Sequence, residues 1–286
     1  SNSSPTIIDC TISDNASHHG AGVYCNNSSP TISGCTISNN IARYGGGIYC
    51  TGSGSNPSIS DCTISLNVAN SDDGAGSGGG IYCNASSTPT ITGCTISGNT
   101  AIRDGGGMYN NTDSSPTLTN CTFENNTASQ YGGGMWNHTG SNPTLTGCTF
   151  ENNTANAGGG MFNYSSSNPT LTNCTFENNT ASTSYGGGGM WNWSNCNPIL
   201  VDTTVCGNTP DQIYGDWIDN GGNTIADECP ECPDINGDGY VDVNDLLIVI
   251  ADWDTCMENC AGDVNDDGEV DVNDLLVIVG NWGPCE

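Results

Sequence analysis

The chain has 286 residues, with 31 acidic side chains against two Lys/Arg, and a formal net charge of −29. So poor a supply of cations argues against a nucleic-acid partner, because phosphate binding rests on Lys and Arg, and equally against an anionic membrane surface. No apolar run approaches membrane-spanning length, and the length leaves room for two domains.

From the start to residue 229 one unit recurs. It is clearest at residues 116–137, PTLTNCTFENNTASQYGGGMWN, and its prolines stand at Pro5, Pro30, Pro57, Pro89, Pro116, Pro143, Pro169 and Pro198. The gaps run 25, 27, 32, 27, 27, 26 and 29 residues. That period, with turn residues between short apolar runs, predicts a solenoid. Each unit has three apolar pieces, at 117–118, 121–123 and 135–136, all too short for a helical pattern to repeat. Three short strands per unit predict one coil of a parallel β-helix, with about eight coils stacked roughly 4.8 Å apart.

The columns of such a stack can be read off. Cys10, Cys35, Cys62, Cys94, Cys121, Cys148 and Cys174 form one, and Ile12, Ile37, Ile64, Ile96, Phe123, Phe150 and Phe176 stand two residues on. Positions two apart share a face, so both columns are expected in the core. Asn15, Asn40, Asn67, Asn99, Asn126, Asn153 and Asn179 form a third column that can pair amide to amide. After the glycine runs come two alternating columns. One is Val23, Ile48, Ile81, Met108, Met135, Met161 and Met190; the other is Tyr24, Tyr49, Tyr82, Tyr109, Trp136, Phe162 and Trp191. Only one can face inward. If Ile/Met does, an aromatic stripe lies outside, suited to stacking on sugars or on another subunit.

The next position changes from Cys25, Cys50 and Cys83 to Asn110, Asn137, Asn163 and Asn192, as "CTIS" gives way to "CTFENN". Those three cysteines either pair between coils or form a buried thiol column. The seventeen cysteines suggest an oxidising, extracytoplasmic setting, and their odd number leaves at least one unpaired within the chain. Ser1, with no initiator Met, is expected to be a processed or truncated start. Asn-x-Ser/Thr sequons (Asn15, Asn84, Asn137, Asn163 and Asn192 among others) are mostly what an Asn/Ser/Thr-rich repeat produces by chance.

The pattern FENNTA…GGGM resembles the FxxN and GGA[ILV] repeats of polymorphic outer-membrane and pectin-lyase-like right-handed β-helix proteins, over residues 1 to about 225. The resemblance implies the fold and leaves activity open, since that fold hosts enzymes, adhesins and fibres. Residues 199–229 read as a last irregular coil that closes the core. The lyases and hydrolases of that family use Arg or Lys with calcium, or clustered Asp. Both signs meet here at one turn, with Arg43, Asp72, Asp73, Arg103 and Asp104 on three consecutive coils. A surface salt-bridge ladder is the competing reading, and the one adopted. Glu124, Glu151 and Glu177 are expected to stack outward, and His18, His19 and His138 to be scattered on turns.

Residues 230–286 hold 15 of the 31 acidic residues and no Lys or Arg. DINGDGYVDVNDLLIVI from Asp234 and DVNDDGEVDVNDLLVIV from Asp263 each follow the twelve-residue EF-hand loop pattern. The first loop offers Asp234, Asn236, Asp238, the Tyr240 carbonyl, Asp242 and Asp245. The second offers Asp263, Asn265, Asp267, the Glu269 carbonyl, Asp271 and Asp274. Gly239 and Gly268 allow the sharp turn, and helices are expected at 246–251 and 275–280. Carboxylates converging without a cation predict two calcium ions, a hard cation that takes six to eight oxygens. Asp at position 12, with no long helix before the loop, resembles a type I dockerin. That likeness implies docking to a cohesin domain through loop positions 10 and 11, here Val243, Asn244, Val272 and Asn273. They differ from the Ser-Thr pair of the best-known dockerins, which leaves a neighbouring copy of the chain as the other partner. Cysteines bracket each half, predicting disulfides Cys232–Cys256 and Cys260–Cys285.

The sequence therefore predicts an all-β parallel β-helix at 1–229 and a small α-helical, calcium-binding, dockerin-like module at 230–286. The function expected is that of a secreted, non-catalytic assembly protein at the cell surface. The alternatives are a dockerin-bearing polysaccharide lyase or hydrolase, and an adhesin that binds extracellular polysaccharide.

Overall fold

The computed structural model describes residues 3–182, 186–229, 233, 235–237, 240–253, 260–265 and 269–284. The chain divides into two compact units, Ser1–Cys229 and Pro230–Glu286.

The first unit is a parallel β-helix of about eight coils. Each coil carries four strands rather than the three expected, and like strands stack into sheets of nine, nine, seven and eight. In the coil at 116–138 they are Thr117–Thr119, Thr122–Glu124, Thr127–Ala128 and Met135–His138. The missed strand has two residues, and Ala128 is its one buried side chain. A single Ala leaves no apolar run and has little β preference of its own, so the stacking of neighbours creates this strand. Register is in step throughout: Phe123 pairs Phe150, and Met135 pairs Met161.

Corners are made by left-handed residues. The turn after the second strand falls on Asp14, Asn39, Leu66, Asn125, Asn152 and Asn178 at φ 54–58°, with Gly98 and Gly207 at 60° and 62°. Asn, Asp and Gly tolerate that region; a Leu does not do so readily. The glycine runs have a different reason. A Cβ on Gly133 would stand 2.5 Å from the Gly159 carbonyl oxygen of the next coil, so only glycine lets the coils close.

Inside, the stacked columns are filled as expected. Phe123, Phe150 and Phe176 are fully buried, their rings 4.7 and 4.5 Å apart and nearly parallel. The cysteine column is a ladder of free thiols, buried except for Cys10. The sulfurs of Cys35, Cys62 and Cys94 accept the N–H of the cysteine one coil back, as from Cys35 to Cys62 at 3.4 Å, and every thiol of the column donates to the carbonyl two residues earlier. Thr203 takes over this role after Cys174. Cys25, Cys50 and Cys83 are also free and buried, which settles that column as thiols. Hydrogen bonding from the Cys148 thiol, then burial, push Cys121 far above the reactive range.

The asparagine column runs unbroken from Asn15 to Asn208. It ends on Gln212, whose Oε1 accepts both N–H groups of Asn208 at 3.1 and 2.8 Å. A second, shorter ladder joins Asn110, Asn137, Asn163 and Asn192 inside the wall. All four stand in Asn-x-Ser/Thr sequons, and burial withholds them from modification. The closing coil carries an unexpected disulfide, Cys206–Cys229.

The second unit has two helices, α1 (Val243–Asp252) and α2 (Val272–Gly280), each beginning three residues earlier than expected. Asp242 and Asp271 are N-caps, and each forms a capping box with Asp245 or Asp274. The box draws loop positions 10 and 11 into the first helical turn. Val241, Val249, Val270 and Ile278 form a small core. Among the described residues no helix is long and apolar enough to cross a membrane.

Candidate functional site

Strand alternation decides which column faces out. In Met135–His138 the side chains of Met135 and Asn137 turn inward and those of Trp136 and His138 outward. The aromatic column therefore lies outside the main core, as the Ile/Met-in reading requires, yet it is not bare. Tyr49, Tyr82, Tyr109, Trp136, Phe162 and Trp191 are only 4–7% exposed. They stack on one another, Tyr109 on Trp136 at 4.4 Å between centroids, and are flanked on both sides. On one side runs a bridged ladder of Tyr44, Ser77, Asp104, Tyr131 and Ala157. On the other stand Asn111, His138, Tyr164 and Trp193, with His138 stacked on Tyr164 at 5.4 Å. The result is a groove with an aromatic floor. Along it lies a cavity of about 370 Å³, edged by Arg103, Tyr131, Trp136, His138, Phe162, Tyr164, Trp191 and Trp193. The indole N–H groups of Trp136 and Trp191 are buried there without an acceptor.

None of the three histidines is on a turn. His18 and His19 end the strand Ala16–His19, and His138 ends Met135–His138. Burial and then Arg103 hold His138 below its ordinary value, so it is neutral at pH 7. Tyr131 and Tyr164 stand in register with Asp104 and His138 of the coil before, but the residue type at these positions and at Trp193 changes from coil to coil, so the sequence did not single them out.

The Arg/Asp turn separates into two ion pairs. Arg43 meets Asp73 at 2.7 Å on the surface, beside Asp72 and a shallow pocket that includes His18. Arg103 Nε meets Asp104 Oδ2 at 3.2 Å. Asp104 is almost wholly buried, and its Oδ1 has no partner. Burial pushes its carboxyl up to about 7, against the opposing pull of Arg103 and the Tyr131 backbone. Glu124, Glu151 and Glu177 stack in register and are half-buried; Glu151 and Glu177 accept from Asn152 and Asn178 at 2.7 and 3.0 Å.

In the second unit the two loops close in the same way. Asp245 Oδ1 accepts the N–H groups of Ile235 and Asn236 at 2.8 and 3.1 Å, and Oδ2 accepts that of Asp242 at 2.8 Å. Asp274 Oδ1 accepts from Val264 and Asn265 at 2.9 and 3.3 Å, and Oδ2 from Asp271 at 2.8 Å. Position 12 is thus a fully buried carboxylate in both loops, within a segment that has no Lys or Arg. Such an all-oxygen set suits a hard cation. Asn236, Asp242, Asp245, Asp263, Asn265, Asp271 and Asp274, with the Tyr240 and Glu269 carbonyls, are the described groups that could hold one. Asp234, Asp238 and Asp267, with Gly239 and Gly268, lie outside the described residues. Among those described, no three His, Cys, Asp or Glu side chains form a metal-holding cluster.

Val243, Asn244, Val272 and Asn273 are exposed at the helix starts. Each valine begins an apolar stripe: Val243, Leu247 and Ile250 on α1, and Val272, Leu276 and Val279 on α2, all 49–63% exposed. Cys260 is disulfide-bonded; Cys232, Cys256 and Cys285 lie outside the described residues.

The family described as right-handed beta helix region matches residues 1–129 and again 67–229. No curated protein and no solved structure matches the chain.

Proposed function

The chain belongs to the right-handed β-helix family, and on that premise we propose that it is a secreted, non-catalytic assembly protein whose solenoid is joined to a calcium-ordered, dockerin-like docking module. The observation that carries this reading is the duplicated apolar stripe. The same three helical positions stand half-exposed or more on α1 and on α2, and exposed apolar side chains repeated at matching sites are what an interface leaves uncovered. The matched capping boxes of Asp242–Asp245 and Asp271–Asp274 give both stripes one and the same starting frame.

One calcium ion per loop would neutralise carboxylates that have no cationic partner in the sequence of the module. The chain's own part is to aim them: Asp245 and Asp274 tie positions 2, 3 and 9 of each loop to the start of the helix that follows. Order in the loop thereby fixes the stripe. The partner is a cohesin-like domain or a neighbouring copy of the chain. A lyase would need Arg43 or Arg103 as its base, and both are held by carboxylates, which favours the non-catalytic reading.

The test uses the full chain, with calcium and with a chelator. Self-association is followed by sedimentation and binding to a panel of cohesin domains by calorimetry. Calcium-dependent association in either format, weakened at least tenfold by Leu247→Asp with Leu276→Asp, is expected. Absence of both, or association indifferent to those substitutions, overturns the proposal.

A further inference from the structure

We propose that the outer face of one sheet of the solenoid, over four successive coils, is an ice-binding surface. This goes beyond docking: it rests on the solenoid alone and stands whether or not the module finds a partner. On those coils the first strand is Thr90–Thr92, Thr117–Thr119, Thr144–Thr146 and Thr170–Thr172, each reading Thr-x-Thr. The middle residue, Ile or Leu, is fully buried, so by strand alternation both threonines turn outward, and each is open to solvent at least in part. Register is kept without a slip. Thr117 pairs Thr144 and Thr119 pairs Thr146, and the coils on either side pair in the same way. The eight hydroxyls therefore form a two-by-four lattice, with repeats of about 4.8 Å along the axis and about 6.6 Å along the strand. Those repeats lie near the two oxygen spacings of the prism face of ice.

Strand preference alone does not produce this face. Thr suits a strand, but so do Val, Ile and Tyr, and none of those occurs at the eight positions. The second strand of the same coils carries a different outer face: Thr122 is followed by Glu124, Thr149 by Glu151 and Thr175 by Glu177. Acid is kept off the first strand. Residues 88–93, 115–120, 142–147 and 168–173 hold no charged side chain, in a chain of net charge −29. That exclusion suits a crystal of water rather than a dissolved ionic partner, because a charge pressed against the lattice would have to give up its own hydration shell.

Thr also supplies what adsorption to a crystal needs. Its β-branch leaves χ1 stiff, so a column of threonines loses little side-chain freedom on contact. Each hydroxyl both donates and accepts, as a lattice water does, and the methyls fill the spaces between. Among the described residues no hydrogen bond from the protein occupies these eight hydroxyls, whereas on the earlier coils Ser60 Oγ donates to Ser33 Oγ at 3.1 Å. The array thus gives way to serine on one side, and on the other to Ile199 and Val201, which pair Thr170 and Thr172.

The experiment follows single ice crystals by nanolitre osmometry, and recrystallisation in frozen films, with the full calcium-loaded chain. The parent should facet the crystals, open a gap between their melting and growth temperatures that widens with concentration, and keep the grains small. Thr117→Lys with Thr144→Lys, at the centre of the array, should raise the concentration needed for either effect at least tenfold. The protein's own melting temperature should stay within about 2 °C of the parent, as exposed substitutions leave it; Thr144→Lys alone, the milder change, should weaken both effects in the same direction. Thr63→Lys puts the same charge on an exposed threonine of the second strand and should change neither. Rounded crystals and unchecked grain growth with the parent at millimolar concentration, parent-like activity in the double variant, or an equal loss in Thr63→Lys would overturn the proposal. So would sedimentation showing a dimer that only the array substitutions convert to monomer, since the face would then belong to a second copy. Docking is read on α1 and α2 and is untouched by any of these results.

Discussion

The side-chain oxygen of Asn153 accepts two hydrogen bonds from Asn126, one from the backbone N–H and one from the side-chain amide, both at 3.0 Å. Its own amide donates back to the Phe123 carbonyl at 2.8 Å and on to Asn179 at 2.9 Å. One side chain thus ties three coils together in a place water does not reach. Asn153→Ala strands two donors and a carbonyl, at about 1–3 kcal/mol for each group. A loss of about 3–5 kcal/mol in chemical denaturation is expected, and Asn153→Asp should be no better, because a buried carboxylate cannot donate to Phe123. A loss below about 1 kcal/mol would mean the ladder is ornament.

Leu66 is the exception that tests the corner rule. It holds φ 56° where other coils use Asn, Asp or Gly, and it is 57% exposed, so packing does not repay the strain. Leu66→Asn is expected to stabilise by about 1 kcal/mol, raising the melting temperature by about 2–4 °C. An unchanged or lower value would show that the side chain earns its place.

Asp104 makes the solenoid sensitive to pH. Its folded pKa of about 7 lies well above the ordinary carboxylate range, so the native state holds the proton more tightly. Stability therefore falls as pH rises from about 4 to about 7; the cost is fully present above that window and absent below it. Asp104→Asn removes the titrating group. Relative to the parent chain, the variant should gain on the order of 2–4 kcal/mol between pH 4 and pH 8. A difference that does not change with pH would refute the assignment.

Much of the solenoid was legible because stacking converts sequence period into columns. The Cys, Ile/Phe and Asn columns lie where their spacing put them. The two-residue strands such as Thr127–Ala128 were not legible, since they owe their pairing to neighbours and carry no apolar run. Cys206–Cys229 was missed because both members sit where the repeat decays and no column points at them. The groove was half legible. Its floor is a column, but Tyr131, Tyr164 and Trp193 come from positions that vary from coil to coil, so their convergence needs three dimensions. The early starts of α1 and α2 were readable in principle from Asp-x-x-Asp as a capping box.

The non-catalytic reading is checked on uronate polymers with calcium present. No unsaturated product is expected at any pH from 5 to 10. Steady release that disappears in Arg103→Ala would instead identify a lyase and make the Arg103–Asp104 pair its centre.

The most direct measurement is amide hydrogen exchange on the full chain, calcium-loaded against chelator-treated. The account predicts that the amides of α1 and α2 lose their protection when calcium is removed, while the solenoid strands keep theirs. Equal protection of both helices in the two conditions would contradict it.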